Sequence, residues 1–280
     1  FAGSLEVPGK VEDIHPLHNL ALLSFDPKLI GQTPIRAATF SSNELKAGDN
    51  SWLSGLKLDH QLFHQQITVA SVDPLNLPPS INFSDSNIEV IDLVSAPDDI
   101  YGVLTDKKGQ IEALWTSFSY RSGGESYQMN RGISSELINE FIDQFQAEKP
   151  LYSLELDLGY IPLFSARKLG LSDDWISQFE EQSEKRRVII VNNRLSGSSA
   201  AEMIQNGDLI LAIDGQLVTS FRDYEKYSQS REVTVTLWRQ NVIQEVIVSS
   251  ALLNGKNIDH VLIWAGAHLH TPHRAIAKRG

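Results

Sequence analysis

The first half of the chain consists mostly of short β-type segments separated by turn-forming residues. This pattern restricts the possible folds of the chain more than any other feature of the sequence. The six segments lie at 10–12, 20–25, 51–56, 66–72, 88–91 and 111–115. Clusters of Pro, Gly, Asn and Asp separate them at hairpin-like spacing, which is typical of an antiparallel barrel or sandwich. One helix is predicted over 134–145, because Ser134 is a suitable N-cap and the apolar residues after it recur on one face. This half therefore predicts a mainly β domain closed by a helix.

The pattern changes after residues 148–150, where Pro150 ends the helix and marks a domain boundary. Strands and helices then alternate: the predicted strands are 154–163, 188–191, 208–213, 233–238 and 245–248, and the predicted helices are 165–169, 199–205 and 221–228. The charged run 180–187 is typical of a solvated helix or loop. The second half predicts a small α+β domain, so two domains are expected in all.

Composition excludes several classes of protein. With 41% hydrophobic and 21% charged residues among 280, the chain can build ordinary cores. Its net charge of −11, without a basic stripe before the last few residues, argues against nucleic acid as a partner. No apolar window approaches the roughly 18 residues that span a bilayer, so no membrane span is predicted. The lack of cysteine removes disulfides and thiolate chemistry, and no cofactor is predicted.

The chain opens at Phe1 without Met and runs at once into a strand-like pattern. We therefore expect it to be cut from a longer protein.

The segment from Ser196 to Val218 carries the most specific pattern in the chain. Small residues at 199–201 allow a short helix to pack closely on a sheet, and Asp214-Gly215 suits a type I′ hairpin turn. The segment closely resembles the central signature of PDZ domains, in the form found in HtrA/Deg proteases. The resemblance covers about residues 151–252 and implies a PDZ domain there.

A PDZ domain is a strand-addition receptor, in which a peptide C-terminus pairs with a sheet edge beside a helix and backbone N–H groups hold its carboxylate. The resemblance implies a groove between the strand that follows Tyr152 and the helix 221–227. It implies these peptide-binding residues: Leu154, Glu155, Leu156, Leu158, Tyr224 and Tyr227.

The carboxylate loop of such domains reads apolar-Gly-apolar, and two registers are open in this chain. Residues 154–156 place Glu155 where glycine is expected, whereas residues 158–160 keep the glycine but lie close to the next helix. In either register an acid, Glu155 or Asp157, would repel the carboxylate of a ligand. The alternative is a PDZ domain used for packing or docking.

Several segments of the first half resemble landmarks of trypsin-like barrels in HtrA/Deg proteases; they are 16–23, 45–53, 66–72, 102–115 and 132–135. The resemblance implies the C-terminal barrel of such a protease over 31–148, with residues 1–30 as a remnant of the N-terminal barrel. It further implies a PDZ domain over 149–252 and a linker or tail towards a further domain over 253–280.

The catalytic positions of that family are degenerate in this chain. A serine protease needs a nucleophilic serine, a histidine base and a carboxylate that orients the histidine. By the resemblance, the Asp position is Asn19, the nucleophile position is Ile100, and the histidine position falls before Phe1. Because an amide and an alkyl group cannot perform those roles, we predict a pseudoprotease.

An active trypsin-like endopeptidase with a different triad is the rival interpretation. Residues 122–124 read superficially like a protease nucleophile segment with Ser122 as nucleophile, and Asp98 or Asp99 with His15 would complete a triad. The polar residues that follow, and the position beyond the strand pair, favour a Gly-rich hairpin turn instead.

Three groups of histidines raise the question of a metal site. His15 and His18 are close in sequence, and His60 and His64 have the four-residue spacing that ligates metal on a helix. The third group lies in the tail, 264–274. Because the first four histidines lie in segments that read as barrel loops, packed or solvated histidines are favoured and no metal is predicted.

Two further segments, 163–175 and 264–274, resemble stretches of the long, duplicated branch of HtrA/Deg proteases. This resemblance implies a role in protein quality control or oligomer assembly, with polypeptide C-termini or unfolded protein segments as partners. A homo-oligomer is expected, and the family favours the bacterial periplasm or envelope as the compartment. A free-standing peptide-binding scaffold is the third interpretation.

Overall fold

The computed structural model describes residues 6–18, 20–57, 59–77, 87–97, 99–122, 124–253, 262–265 and 267–269. The chain divides into two compact units. Unit 1 comprises residues 1–80 and 89–149, and unit 2 comprises residues 81–88 and 150–280. Within the described parts of the chain, no helix is both long and apolar enough to cross a membrane.

Unit 1 is built mainly of antiparallel strands. Its elements are β1 (Gly9–Ile14), β2 (Ala21–Phe25), a 3-10 helix (Pro27–Ile30), β3 (Asn50–Lys57), β4 (Leu62–Pro74), β5 (Glu89–Leu93), β6 (Ile100–Thr105), β7 (Ile111–Ser122), β8 (Glu125–Ser134) and α1 (Ser135–Gln146). Strands β3 to β8 close into a barrel in the order β3-β4-β5-β8-β7-β6, and β1 pairs with β2 in a separate hairpin. The predicted barrel and its closing helix are both present, and Ser134 caps α1 as expected.

The interior of the barrel is filled by apolar side chains that alternate along its strands. The buried cluster consists of Leu45, Leu53, Ile67, Val69, Ile91, Leu93, Ile100, Leu104, Ala113 and Trp115. β3 and β6 approach closely where Gly55 pairs with Gly102, and a Cβ at Gly55 would lie 2.3 Å from the carbonyl oxygen of Tyr101. Two facing glycines therefore allow this pair of strands to close the barrel.

Unit 2 is the predicted α+β domain. Its elements are β9 (Leu151–Ser153), β10 (Leu156–Pro162), α2 (Leu163–Leu169), α3 (Asp173–Gln182), β11 (Arg187–Arg194), α4 (Ser199–Met203), β12 (Leu209–Ile213), β13 (Gln216–Leu217), α5 (Phe221–Tyr227), β14 (Glu232–Arg239), β15 (Val242–Ser249), β16 (Ala251–Leu253), β17 (Leu262–Trp264) and β18 (Ala267–Leu269). The main sheet has the order β10-β11-β12-β14-β15, with β13 paired to β12. β10 is therefore an edge strand of this sheet.

The predicted strands differ from the structure in several places, and β6 is one strand that lies outside the six predicted segments. The predicted strand 154–163 is interrupted, because β9 ends at Ser153 and Glu155 has a φ of 58° before β10 begins. A left-handed residue cannot continue the extended backbone of a strand. β8 lies outside the six predicted segments, since its first residues, 125–128, are exposed on both faces and only their pairing with β7 defines them as a strand.

Candidate functional site

The start of β10 determines how a ligand could approach unit 2. Glu155 stands between the buried residues Leu154 and Leu156, and its φ of 58° is one that glycine adopts more readily. Its N–H donates to Ser153 Oγ over 3.0 Å, and its carbonyl oxygen accepts from Leu195 N–H over 3.0 Å. The left-handed residue of the loop is therefore Glu155, the central residue of the register 154–156. Its backbone N–H already has a hydrogen-bond partner in Ser153.

Gly159, the glycine of the other register, lies inside β10. It pairs with Ile190 of β11, and a Cβ at this position would lie 2.7 Å from the Asn192 side-chain amide. Glycine is needed at this position because the Asn192 side chain approaches closely, and not because the backbone turns here.

α5 lines the other side of the candidate groove. Its N-terminus is held by a capping box between Ser220 and Asp223. Tyr224 is 4% exposed and packs in the same apolar cluster as Leu154, Leu156 and Leu158. Burial raises the pKa of the Tyr224 hydroxyl far above its ordinary value, and the adjacent Leu156 backbone offsets part of this rise.

Tyr227 completes the set of predicted groove residues. It is partly buried and packs against the same cluster. Burial, followed by the charge of Asp223, raises the pKa of the Tyr227 hydroxyl. The structure thus brings the six predicted peptide-binding residues together at one end of β10 and along α5.

Tyr160, which the sequence analysis did not select, joins β10 to the N-terminus of α5. Its ring stacks on Phe221 with the centroids 4.4 Å apart, and its hydroxyl accepts from the Phe221 N–H over 2.8 Å. The Arg187 guanidinium lies 3.6 Å from the centroid of the Tyr160 ring. This aromatic contact fixes the spacing between strand and helix at that end of the groove.

Gln229 fixes the opposite end. Tyr152 N–H donates to Gln229 Oε1, and Gln229 Nε2 donates to the Tyr152 carbonyl oxygen, each over 3.0 Å. Gln229 Nε2 also donates to the carbonyl oxygen of Glu225 in α5 over 2.7 Å. One side-chain amide therefore ties β9 to the C-terminal end of the helix.

Asn87, like Tyr160 and Gln229, is a residue that sequence reasoning missed. Its Nδ2 donates to the Leu156 carbonyl oxygen, and its Oδ1 accepts from the Leu158 N–H, both over 2.8 Å. These partners lie 69 and 71 residues away along the chain, so no local pattern could reveal them.

The predicted nucleophile position lies in the barrel core. Ile100 is fully buried in the apolar cluster of unit 1 and pairs with Lys57 across β3 and β6. Asn19 and Asp98 lie outside the described residues. Asp99 is half-buried at the start of β6.

His15 and His18 are packed residues within unit 1. His15 is 4% and His18 1% exposed, and their rings stack with centroids 4.7 Å apart. His15 Nδ1 accepts from the N–H groups of Leu17 and His18, and its ring contacts the edge of Phe141. His15 Nδ1, which would face the carboxylate in a triad, is instead used by the backbone of its own loop.

Ser122 is the last residue of β7 and pairs with Glu125 at the tip of the β7–β8 hairpin. A serine–histidine contact occurs elsewhere, between Ser54 Oγ and His64 Nδ1 at 2.7 Å. These residues face each other on β3 and β4, and the His64 ring stacks on Trp52. In a catalytic triad Nε2 faces the hydroxyl and Nδ1 faces the carboxylate, so this pair has the opposite orientation.

The helical spacing considered for His60 and His64 does not apply. His64 lies in β4 and is exposed, and His60 precedes that strand with a φ of 64°. The histidine side chains of the tail, 264–274, lie outside the described residues.

Comparison with known proteins agrees with this architecture. Residues 176–238 match the PDZ domain family. The structure of an HtrA-type protease, AlgW with a decapeptide, superposes with a TM-score of 0.55 at 17% identity, covering 88% of this chain and 72% of that one.

Similar sequences extend over the whole chain. The pro-apoptotic serine protease NMA111 of Yarrowia lipolytica is 30% identical over 292 residues, which is 100% of this chain and 29% of that protein. Protease Do-like 7 of Arabidopsis thaliana is 29% identical over 313 residues, covering 99% of this chain and 28% of that protein. The chain therefore spans less than a third of the length of these relatives.

The chain combines a closed trypsin-like barrel with a PDZ domain, which defines the class of fold to which it belongs. The sequence relatives and the shared fold place it more narrowly. Together these similarities support an HtrA/Deg family of PDZ-containing proteases for this chain.

Proposed function

We propose that this chain is a catalytically inactive segment of an HtrA/Deg-type protein, in which a degenerate protease barrel accompanies a PDZ domain that binds polypeptide. Its role would be to present or hold polypeptide in protein quality control, or to help assemble a homo-oligomer. The observation that carries the proposal is the complete burial of Ile100, the residue that the resemblance assigns to the nucleophile position.

Ile100 lacks both the reactive atom and the access to substrate that a nucleophile needs. A nucleophile must carry an ionisable or activatable heteroatom and must reach the substrate. Ile100 has only hydrocarbon and faces Leu53, Leu104 and Trp115 within one core cluster. Replacing its side chain would therefore not by itself produce an accessible nucleophile.

The edge of β10 beside α5 is the feature that supports peptide binding. An edge strand offers backbone donors and acceptors to an added strand, and a neighbouring helix supplies side-chain contacts. Leu156, Leu158 and Tyr224 belong to the apolar cluster beneath this site, and the partly buried Tyr227 packs against that cluster. The HtrA-type protease AlgW has been solved with a decapeptide and with a tripeptide, which supports the same use of this fold.

A fluorophosphonate probe, with casein turnover measured alongside, tests the inactive barrel. We expect neither labelling nor turnover above the level of heat-denatured protein. Labelling that disappears in Ser122→Ala would contradict the proposal and identify a protease.

The second candidate is an active endopeptidase that uses Ser54 and His64, and it would require the His64 imidazole to turn so that Nε2 faces the Ser54 hydroxyl. It predicts labelling that disappears in Ser54→Ala and in His64→Ala but persists in Ser122→Ala. Labelling with that pattern would replace the first proposal.

A panel of random decapeptides, each synthesised as a free acid and as a C-terminal amide, tests peptide binding by fluorescence polarisation. The proposal predicts saturable binding by part of the panel, and Tyr227→Ala, at a partly buried position of the candidate groove, should weaken it. Leu252→Glu, at a 51% exposed position of unit 2, is the matched control and should leave binding unchanged.

A further inference from the structure

Asn87 forms two hydrogen bonds with the backbone of β10. It donates to the Leu156 carbonyl oxygen and accepts from the Leu158 N–H, both over 2.8 Å. In a strand, backbone groups two residues apart point to the same side. The Glu155 carbonyl oxygen bonds to Leu195 on the β11 side, so the Leu156 carbonyl and the Leu158 N–H point to the outer side. Asn87 therefore binds the free edge of the sheet.

A strand added to β10 would use the same two groups. In parallel pairing one residue of the added strand accepts from an N–H and donates to the carbonyl two residues before it, and in antiparallel pairing two residues of the added strand make these two bonds. A primary amide offers the same combination of one donor and one acceptor. Asn87 thus reproduces, with one side chain, the hydrogen bonds of a peptide backbone.

We propose that Asn87 is an intramolecular competitor at the strand-addition edge of β10, and that an extended polypeptide binds there by displacing it. The inference rests on the proposed peptide-binding function. The ligand class is a polypeptide segment with a free backbone N–H opposite the Leu156 carbonyl and a free carbonyl opposite the Leu158 N–H. Proline at the donating position lacks the N–H that the Leu156 carbonyl requires.

The backbone at Asn87 is suited to hold this contact. Its φ of 60° lies in the left-handed region, which asparagine tolerates better than most residues. The next residue, Ile88, is 3% exposed and anchors the backbone. Because both bonds join neutral groups, their net contribution is modest, so they would weaken ligand binding by roughly tenfold rather than prevent it.

The test uses the full chain and three variants. Asn87→Gly removes the amide and keeps the positive φ accessible. Asn87→Asp keeps the side-chain size and the acceptor for Leu158 but loses the donor to Leu156. Asn241→Gly is the matched control, since Asn241 has a φ of 67° in the turn between β14 and β15.

Two readouts separate the contact from its consequence. Hydrogen exchange of the Leu158 amide, followed by NMR, should accelerate about tenfold or more in Asn87→Gly and stay unchanged in Asn241→Gly. The tightest decapeptide of the panel should bind about tenfold more tightly to Asn87→Gly, and more tightly to Asn87→Asp, than to the unmodified chain.

Each contrary outcome has a distinct meaning. Unchanged Leu158 exchange in Asn87→Gly would overturn the inference, because the contact would then be absent. Accelerated exchange with equal peptide affinity in all variants would also overturn it, while leaving peptide binding intact. If no decapeptide binds any variant although Leu158 exchange accelerates, the proposed function fails and the competition fails with it.

Discussion

The hydroxyl of Ser51 lies between Glu112 and the backbone of β6 in the barrel. Ser51 Oγ is 2.7 Å from Glu112 Oε2 and 3.1 Å from the Thr105 carbonyl oxygen. A hydroxyl has one proton, so it can donate to only one of these acceptors. When Glu112 is protonated, Glu112 donates to Ser51 and Ser51 donates to Thr105, and all three groups are satisfied.

The first prediction concerns the pH dependence of unit 1. Burial raises the pKa of Glu112; the Ser51 hydrogen bond lowers it in part, and the charges of Asp106 and Asp49 raise it. A raised carboxyl pKa means that the folded state binds more protons, so stability falls as pH rises from the ordinary carboxyl range through the raised value. Glu112→Gln should therefore gain stability relative to the unmodified chain at pH 7.5 but not at pH 4.

Thermal unfolding at both pH values measures this difference. Glu44→Gln, at an exposed position of the same unit, is the control and should show no pH-dependent gain. An equal effect of Glu112→Gln at the two pH values would contradict the assignment.

The second prediction concerns Ile100. Ile100→Ser should not create protease activity, and it should destabilise unit 1 by about 3 to 5 kcal/mol, because it leaves a cavity and buries a hydroxyl. Urea unfolding followed by circular dichroism gives the stability, and the fluorophosphonate probe gives the activity. Ile35→Ser, at a 55% exposed position, should cost less than about 0.5 kcal/mol. Labelling of Ile100→Ser would show that the active-site geometry has survived.

The third prediction concerns Glu155. Glu155→Gly removes a carboxylate from the entrance of the groove and relieves a φ of 58°, so free-acid decapeptides should gain about tenfold in affinity relative to their amides. The backbone change should also add about 1 kcal/mol of stability. Glu148→Gly is the matched control, since Glu148 has a φ of 50° and lies in the other unit. It should show a similar stability gain without any change in the preference for free acids.

The fourth prediction concerns the contact between Tyr160 and α5. Tyr160→Phe keeps the ring stack on Phe221 but removes the acceptor of the Phe221 N–H, which should cost about 1 kcal/mol. The change should appear as faster hydrogen exchange of the Phe221 amide. Tyr101→Phe loses an exposed hydroxyl that accepts from Gln128 Nε2 and should cost less than about 0.5 kcal/mol. Equal effects of the two substitutions would show that burial of the Tyr160 contact is unimportant.

Local chemistry made much of the architecture predictable. The cap at Ser134 begins α1, and the turn at Asp214 and Gly215 has the positive φ values that the dipeptide indicates. Short spacing between apolar segments indicated antiparallel strands, and the segment 196–218 indicated the PDZ domain. Each of these patterns depends on residues that are close together in the sequence, so it can be recognised without knowledge of the tertiary fold.

The candidate site depended on contacts between distant parts of the chain. The sequence alone determined that Ile100 lacks a nucleophilic atom and that an acid occupies position 155. Only the tertiary structure decided that Ile100 is buried, that Glu155 is left-handed, and that Asn87 binds the edge of β10. The reason is physical: burial, strand edges and side-chain pairing arise when segments far apart in sequence pack together, and composition or periodicity in one segment carries no record of its partner.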